Sequence, residues 1–214
     1  MKKEFSVMPD KLANEQFYGF NWFEHLTAVP SPLTLVTGYK LNGRSNGTMQ
    51  SWLSFSSDNG SDFYCIFSYV CKYTHMYEIA SKQKQLVINF PSADNYKKCY
   101  STIANNSYEE DELEKAGLKF KKGTMVNAPV VEDCFLNLEC EYVWEKEITP
   151  NSDHVVLCVK VVNVHVDEES LKNDRYGEKG FLYNIHSPLD PATLERKSTA
   201  LGVITPYKTY EELF

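Results

Sequence analysis

No C-x-x-C pair and no H-E-x-x-H occur in the 214 residues, although six cysteines and five histidines are present. The usual zinc signatures are therefore missing, and no metal site is predicted. There is no G-x-G-x-x-G either, and strands do not alternate with helices, which excludes a dinucleotide-binding sheet. No G-x-S-x-G elbow accompanies the serines, and no Ser/His/Asp or Cys/His set assembles along the chain. Dense basic stretches are lacking. Lysine and arginine number 22 against 29 aspartates and glutamates, a formal charge of −7, which argues against nucleic-acid binding. Long apolar runs are absent too: Lys160 interrupts the run 155–159, and a membrane span needs roughly 20 residues. The start, Met1-Lys2-Lys3-Glu4, carries charge with no apolar stretch behind it. The expectation is a soluble cytoplasmic protein with no nucleic-acid or membrane partner. Its scattered cysteines are expected to be reduced and mostly structural.

What is present is enough apolar residue, 43%, to bury a core, with an ordinary 24% charged. One domain is expected over 1–214, with its core at about 30–168. A helical N-terminal segment and a C-terminal tail rich in aromatics (Tyr176, Phe181, Tyr183, Tyr207, Tyr210) decorate it. Phe17, Phe20, Trp22, Phe23 and Leu26 predict an amphipathic helix over 14–26, stopped before Pro30. Strands are predicted over 33–41 and 44–55, joined by Asn42-Gly43 as a type I′ hairpin turn. Further strands follow at 63–69 and 86–90, with a helix over 73–84 between them and Thr74 as its cap. Short helices are predicted over 94–105 and 109–116. The clearest alternation runs from Leu136 to Trp144, a half-buried antiparallel strand, and 155–166 reads as a central strand paired with it. Six or more antiparallel strands make the fold mainly β: a barrel or sandwich with peripheral helices.

Candidate chemistry gathers in three places. At Ser68 to Thr74 a strand ends, Lys72 follows, and a helix begins on a hydroxyl residue. Helix starts present free N–H groups that suit phosphate; alternatively Thr74 only caps its helix and Lys72 is solvated. Along Asn46-Gly47-Thr48-Met49-Gln50-Ser51-Trp52, alternation puts Asn46, Thr48 and Gln50 on one face. That face suits a polyol chain or the polar edge of a heterocycle, or is an ordinary solvent face. Asn89, a single amide in the apolar run Val87-Ile88-Asn89-Phe90, must find a partner if buried, whether protein or ligand. The acidic run 109–112 reads as a solvated helix start, Glu139 and Glu141 as exposed strand residues or, alternatively, paired carboxylates on one face, and His75 as a surface residue at the helix start or, alternatively, one that helps hold an anion.

Taken in order, these segments resemble the flavin reductase-like family of FMN-binding split barrels, in its flavoredoxin-like branch. The resemblance is carried by Pro32-Leu33-Thr34-Leu35-Val36-Thr37, Asn42-Gly43-Arg44, the 46–52 strand, Lys72-Tyr73-Thr74, Val87-Ile88-Asn89-Phe90-Pro91, Ala128-Pro129 and Leu138-Glu139-Cys140. It covers about 32–166. It implies a Greek-key antiparallel split β-barrel that binds FMN. Asn46, Thr48, Ser51 and Trp52, with Met49 and Gln50 on the same strand, would follow the ribityl chain and isoalloxazine. Lys72, Tyr73 and Thr74 would take the phosphate, with Ser68 and Asn89 nearby. No protein side chain need be catalytic, because the flavin carries the hydride chemistry. The implied activity is reduction of FMN by NADH or NADPH and release of electrons to a flavin or other acceptor, in a homodimer. Two alternatives remain at this point: an FMN electron carrier without nicotinamide activity, and a barrel that binds no flavin. One departure stands out. Family members often show a Ser-Gly-basic run leading to Asp-Lys-Phe, where this chain has Asn105-Asn106-Ser107-Tyr108 leading into acidic residues.

Overall fold

The structure, a computed structural model, describes residues 2–17, 20–104, 106–171, 180–190 and 192–204. Asn105, Tyr176, Tyr207 and Tyr210 lie outside these. Twelve strands are described. They are β1 (Ser31–Pro32), β2 (Thr34–Tyr39), β3 (Ser45–Gln50), β4 (Leu53–Asp58), β5 (Asp62–Cys71), β6 (Gln85–Phe90), β7 (Phe120–Lys122), β8 (Pro129–Val131), β9 (Leu136–Lys146), β10 (His154–Val166), β11 (Phe181–Ile185) and β12 (Ala200–Ile204). The helices are short: α1 (Trp22–Thr27), α2 (His75–Glu78), α3 (Tyr96–Ser101) and α4 (Glu112–Lys115).

Seven strands form one sheet in the order β3-β2-β6-β9-β10-β5-β4, antiparallel at every pairing. Its two outer strands, β3 and β4, are consecutive in the chain, with only Ser51 and Trp52 between them. A sheet whose edges are that close in sequence must curl around its own core. Inside the curl Val36, Phe67, Ile88, Leu138, Leu157 and Val159 pack together, each burial contributing roughly 1.5–3 kcal/mol. The single strand expected over 44–55 is thus two, broken at a sharp corner. Trp52 takes φ 62° there, its N–H donates to Ser31 Oγ at 2.7 Å, and its carbonyl accepts from the Ser68 N–H and hydroxyl. β10 lies between β9 and β5, the central place its two apolar faces require.

Two local expectations are corrected. The Asn42-Gly43 hairpin is not a two-residue type I′ turn. Gly43 N–H donates to the Lys40 carbonyl and Lys40 N–H to the Arg44 carbonyl, and only Gly43 has positive φ (82°). That is a three-residue loop with a left-handed glycine, and the Asn42 side chain accepts from the Arg44 N–H instead of entering the left-handed region. The N-terminal helix shrinks to α1 because Asn21 acts as its cap, accepting from the Phe23 N–H, so the helix cannot extend back to residue 14. A small sheet, β1-β11-β12, packs the tail beside the corner. None of the described helices is long and apolar enough to cross a membrane. All six cysteines are unbridged, and Cys71 alone is not buried.

Candidate functional site

The start of β3, the start of α2 and the residues Ile103, Asn106 and Glu112 enclose a cavity of about 90 Å³. Asn46, Thr48, Thr74, His75, Asn106 and Glu112 contribute its polar wall. Thr74 is here because it caps α2: its hydroxyl accepts from the Tyr77 N–H at 3.3 Å and donates to the Cys71 carbonyl at 2.7 Å. Gly47 lets α4 sit directly on the β3 backbone. A Cβ at that position would lie 2.8 Å from Leu113 Cδ2, and the Gly47 N–H donates to Glu112 Oε2 at 2.9 Å.

The back of the cleft is a buried ionic network. Glu112, expected on a solvated face, is 1% exposed. Its partner Lys40 has a fully buried side chain, with Nζ 3.3 Å from Glu112 Oε1 and donating to the carbonyls of Ser107 (3.0 Å) and Glu110 (2.6 Å). With its amide nitrogen turned to the carboxylate, Asn46 donates to both Glu112 oxygens at 3.1 and 3.2 Å and lies 3.3 Å from His75 Nδ1. His75 Nδ1 is also 3.4 Å from Glu112 Oε1. Asp111 caps α4 and binds the N–H and hydroxyl of Ser45, locking the hairpin to this helix. Burial forces the outcome, because a carboxylate away from water must be paired and hydrogen-bonded.

The other residues singled out from the sequence are dispersed. Lys72 and Tyr73 turn away from the cleft toward the β9–β10 connection. Lys72 pairs with Glu147, and Tyr73, 79% exposed, donates its hydroxyl to Asp153 at 2.9 Å. The Glu147 hydrogen bond holds the Lys72 pKa above its ordinary value. Met49 packs on the Leu35–Leu113 cluster, and the Gln50 carbonyl accepts from the Thr34 hydroxyl at 3.3 Å. Ser51 accepts from Asn184 of β11 at 3.3 Å, and Ser68 holds the Trp52 carbonyl. Asn89 faces the interior. Its amide nitrogen donates to the Leu35 carbonyl and the Thr37 hydroxyl, both at 2.9 Å, and its oxygen accepts from Val131 N–H and Asn137. Every strong position on that amide is taken by protein.

A second, apolar cavity of about 620 Å³ has Pro32, Phe55, Phe90, Phe135, Phe181 and Tyr183 in its wall. Pro32 pairs with Tyr183 across β1–β11, one position from the Ser31 and Asn184 that grip Trp52 and Ser51. The polar cleft thus lies at the start of β3, whereas the apolar cavity lies past the corner, against Phe55 of β4 and Pro32 of β1.

A second buried carboxylate lies away from the cleft. Glu139, expected to face solvent, is 0% exposed and accepts from the N–H groups of Thr124, Met125 and Val126, from Asn163 and from His165. Burial alone pushes this carboxyl up. The hydrogen bonds from His165, Thr124, Asn163 and Met125 outweigh it and bring the pKa down to about 2. His75 and Glu112 are cleft residues that the sequence alone places at the surface. Glu112 follows its own cap residue and precedes the buried Leu113, which hints at burial, but Lys40 stands 72 positions away.

A curled seven-stranded antiparallel sheet with its edges joined at one corner, and a polar cleft on the joining strand, defines a split-barrel protein. The sequence matches the profile described as "Flavin reductase like domain" over residues 26–185, and the chain belongs to that family. The class of chemistry is flavin-linked oxidoreduction. Solved structures share the fold at low identity. Nitrilotriacetate monooxygenase component B from Bacillus cereus superposes with a TM-score of 0.76 at 17% identity, covering 99% of this chain and 100% of that one. The flavoredoxin of Desulfovibrio vulgaris (Miyazaki F) gives 0.63 at 18%, covering 97% and 98%. The NADH:FAD oxidoreductase SgcE6 of Streptomyces globisporus C-1027 gives 0.55 at 17%, covering 65% and 77%. No curated protein sequence matches significantly.

Proposed function

We propose that the protein is an FMN-dependent oxidoreductase that takes electrons from NADH or NADPH and delivers them to a free flavin or another acceptor. The observation that carries this reading is the convergence of Asn46, Thr48 and Thr74 on one polar cleft, inside the stretch that matches the family. The residues fit the group. Two hydroxyls, two amides and an imidazole suit a ribityl chain and its phosphate, and Lys40 neutralises the Glu112 charge behind them. When bound, the isoalloxazine supplies the redox chemistry, accepting a hydride and releasing electrons. The protein's part is to hold and orient it. Asn46 is fixed against Glu112 and Thr74 against its own helix; the Thr74 proton is given to the Cys71 carbonyl, so its hydroxyl oxygen is left to accept from a ribityl hydroxyl. Met49, Gln50, Ser51, Trp52 and Ser68 shape the strand and corner along which the ring would lie, and Asn89 braces the neighbouring strand β2 from the interior. Lys72 and Tyr73 reach the phosphate only by leaving Glu147 and Asp153. The Streptomyces structure is of an NADH:FAD oxidoreductase, which supports a reduced nicotinamide as donor.

The proposal includes a homodimer, supported by the exposed Phe55, Phe63, Val164 and Leu171 beside the apolar cavity, and a cytoplasmic setting, supported by six unbridged thiols. Sedimentation showing a monomer with flavin bound would count against the dimer. For the function, the purified protein is examined for bound flavin by absorbance and mass, then mixed anaerobically with NADH or NADPH. Bound FMN that bleaches with one nicotinamide is expected. Protein that takes up no FMN overturns the reading; FMN that neither nicotinamide bleaches reduces it to an electron carrier.

A further inference from the structure

The cleft has an electrostatic peculiarity that its polar lining conceals. Of the described residues in its wall, only His75 and Glu112 can carry charge. Lys40 cannot turn into the cleft, since its Nζ is held by Glu112 and by the carbonyls of Ser107 and Glu110, with the side chain wholly buried. Lys72 is taken by Glu147. With a neutral imidazole, the cleft therefore has no net charge and offers an incoming anion a carboxylate wall. With a protonated one, it carries a single positive charge, 19% exposed, at the opening.

The geometry around Nδ1 accommodates both states. Without a proton, Nδ1 accepts from the Asn46 amide at 3.3 Å; with one, it donates to Glu112 Oε1 at 3.4 Å. The groups facing the imidazole are few. Glu112 and the Tyr108 ring (5.5 Å, edge-on) approach from the 106–112 side, Lys40 stands behind Glu112, and Glu78 in the same helix is paired with Lys82. A proton on His75 is thus met by one carboxylate whose own partner is fixed.

We propose that His75 is the proton-linked contact for the phosphate end of the cofactor, so that binding of the phosphate goes with proton uptake by the imidazole. Glu112 and Lys40 form the buried pair that positions it. This rests on the reading of the cleft as the FMN site. As a class, imidazoles exchange a proton in the physiological range, and a charge-assisted bond to phosphate is about twice as strong as a neutral one. The cleft then admits the phosphorylated flavin in preference to riboflavin by an amount that pH sets.

The test measures FMN and riboflavin affinity by quenching of flavin fluorescence between about pH 5.5 and 8.5, for the native protein, His75→Gln and His75→Arg. Near pH 6 the native protein should bind FMN about ten- to a hundredfold more tightly than His75→Gln, and the ratio should fall toward unity by pH 8.5. The ionisation of free FMN is common to both proteins and cancels in the ratio. His75→Arg, charged throughout, should keep tight FMN binding at pH 8.5. Riboflavin should show a ratio near one at every pH. Calorimetry in two buffers of different ionisation enthalpy should show proton uptake by the native protein that His75→Gln loses. A FMN ratio independent of pH, or an equal loss for riboflavin, overturns the proposal while leaving the FMN site standing. A native protein that binds riboflavin and FMN equally, or neither, removes both.

Discussion

Glu139 and Glu112 are both buried carboxylates on a chain whose acidic residues looked like surface, yet they do different things. Glu139 is saturated: three backbone N–H groups, an amide and an imidazole close around it, and together they tie the 124–126 turn to β9 and β10. Glu112 is shared between a fixed lysine, a backbone N–H and two side chains that face a cavity. Where every lone pair is taken by immobile donors, the carboxylate fastens the fold. Where part of its shell borders open space, it also places the residues a ligand meets.

The sharpest way to break that contrast is at Glu139. Glu139→Ala leaves three N–H groups and His165 without a partner in the interior, and should lower stability by about 3–5 kcal/mol in urea unfolding. FMN affinity of the folded fraction should not change. A loss under 1 kcal/mol would show that the knot is not closed. Its acid response follows from the lowered pKa, about 2 against an ordinary 4.5. The group stabilises the fold fully above about pH 4.5 and the contribution is lost as pH falls toward 2, so native stability should drop steeply across that window. Glu139→Gln should flatten the drop.

Asn89 is a neutral version of the same saturation. Asn89→Ala strands Val131 N–H and Asn137 and should cost about 2–3 kcal/mol, again without touching the affinity of folded protein for FMN. A selective loss of FMN binding would instead assign Asn89 to the ligand. At the cleft the pattern should reverse. Thr74→Ala removes the α2 cap, costing about 1 kcal/mol in melting, and should also weaken FMN binding. Smallest of all, Glu147→Gln releases Lys72 and should tighten FMN binding about two- to fivefold if the lysine then turns to the phosphate. No change would leave Lys72 as a surface partner of the β9–β10 connection.

How far the sequence reaches follows from the range of the interactions involved. The strand over 136–144, the paired strand after it and Thr74 as cap depend on neighbours a few residues off and are recovered in place, but the half-buried alternation is not: Asn137 and Glu139 are buried and Trp144 is 43% exposed. The break at Ser51–Trp52 was invisible because neither residue is a strong turn former, and only the partners Ser31 and Ser68 define the corner. For the site, Asn46, Thr48 and Thr74 were readable as polar positions on a strand and at a helix start. Lys72, Tyr73, Glu112 and Glu139 were not, since Glu147, Asp153, Lys40 and the 124–126 turn, which decide where they point, lie 13 to 80 positions away. A charged residue has no periodicity of its own to betray burial. Its partner does that, and the partner is a tertiary fact.

The corner at Ser51–Trp52 has a consequence for how the molecule opens. In most sheets the outermost strands fray independently, each peeling from its own neighbour. Here the two rims are tethered to one another by two residues, so neither β3 nor β4 can peel far without pulling its counterpart out of line on the opposite flank. Loosening at the rims becomes a concerted event, and amide exchange along β3 should rise and fall together with that along β4, although five strands lie between them in the sheet.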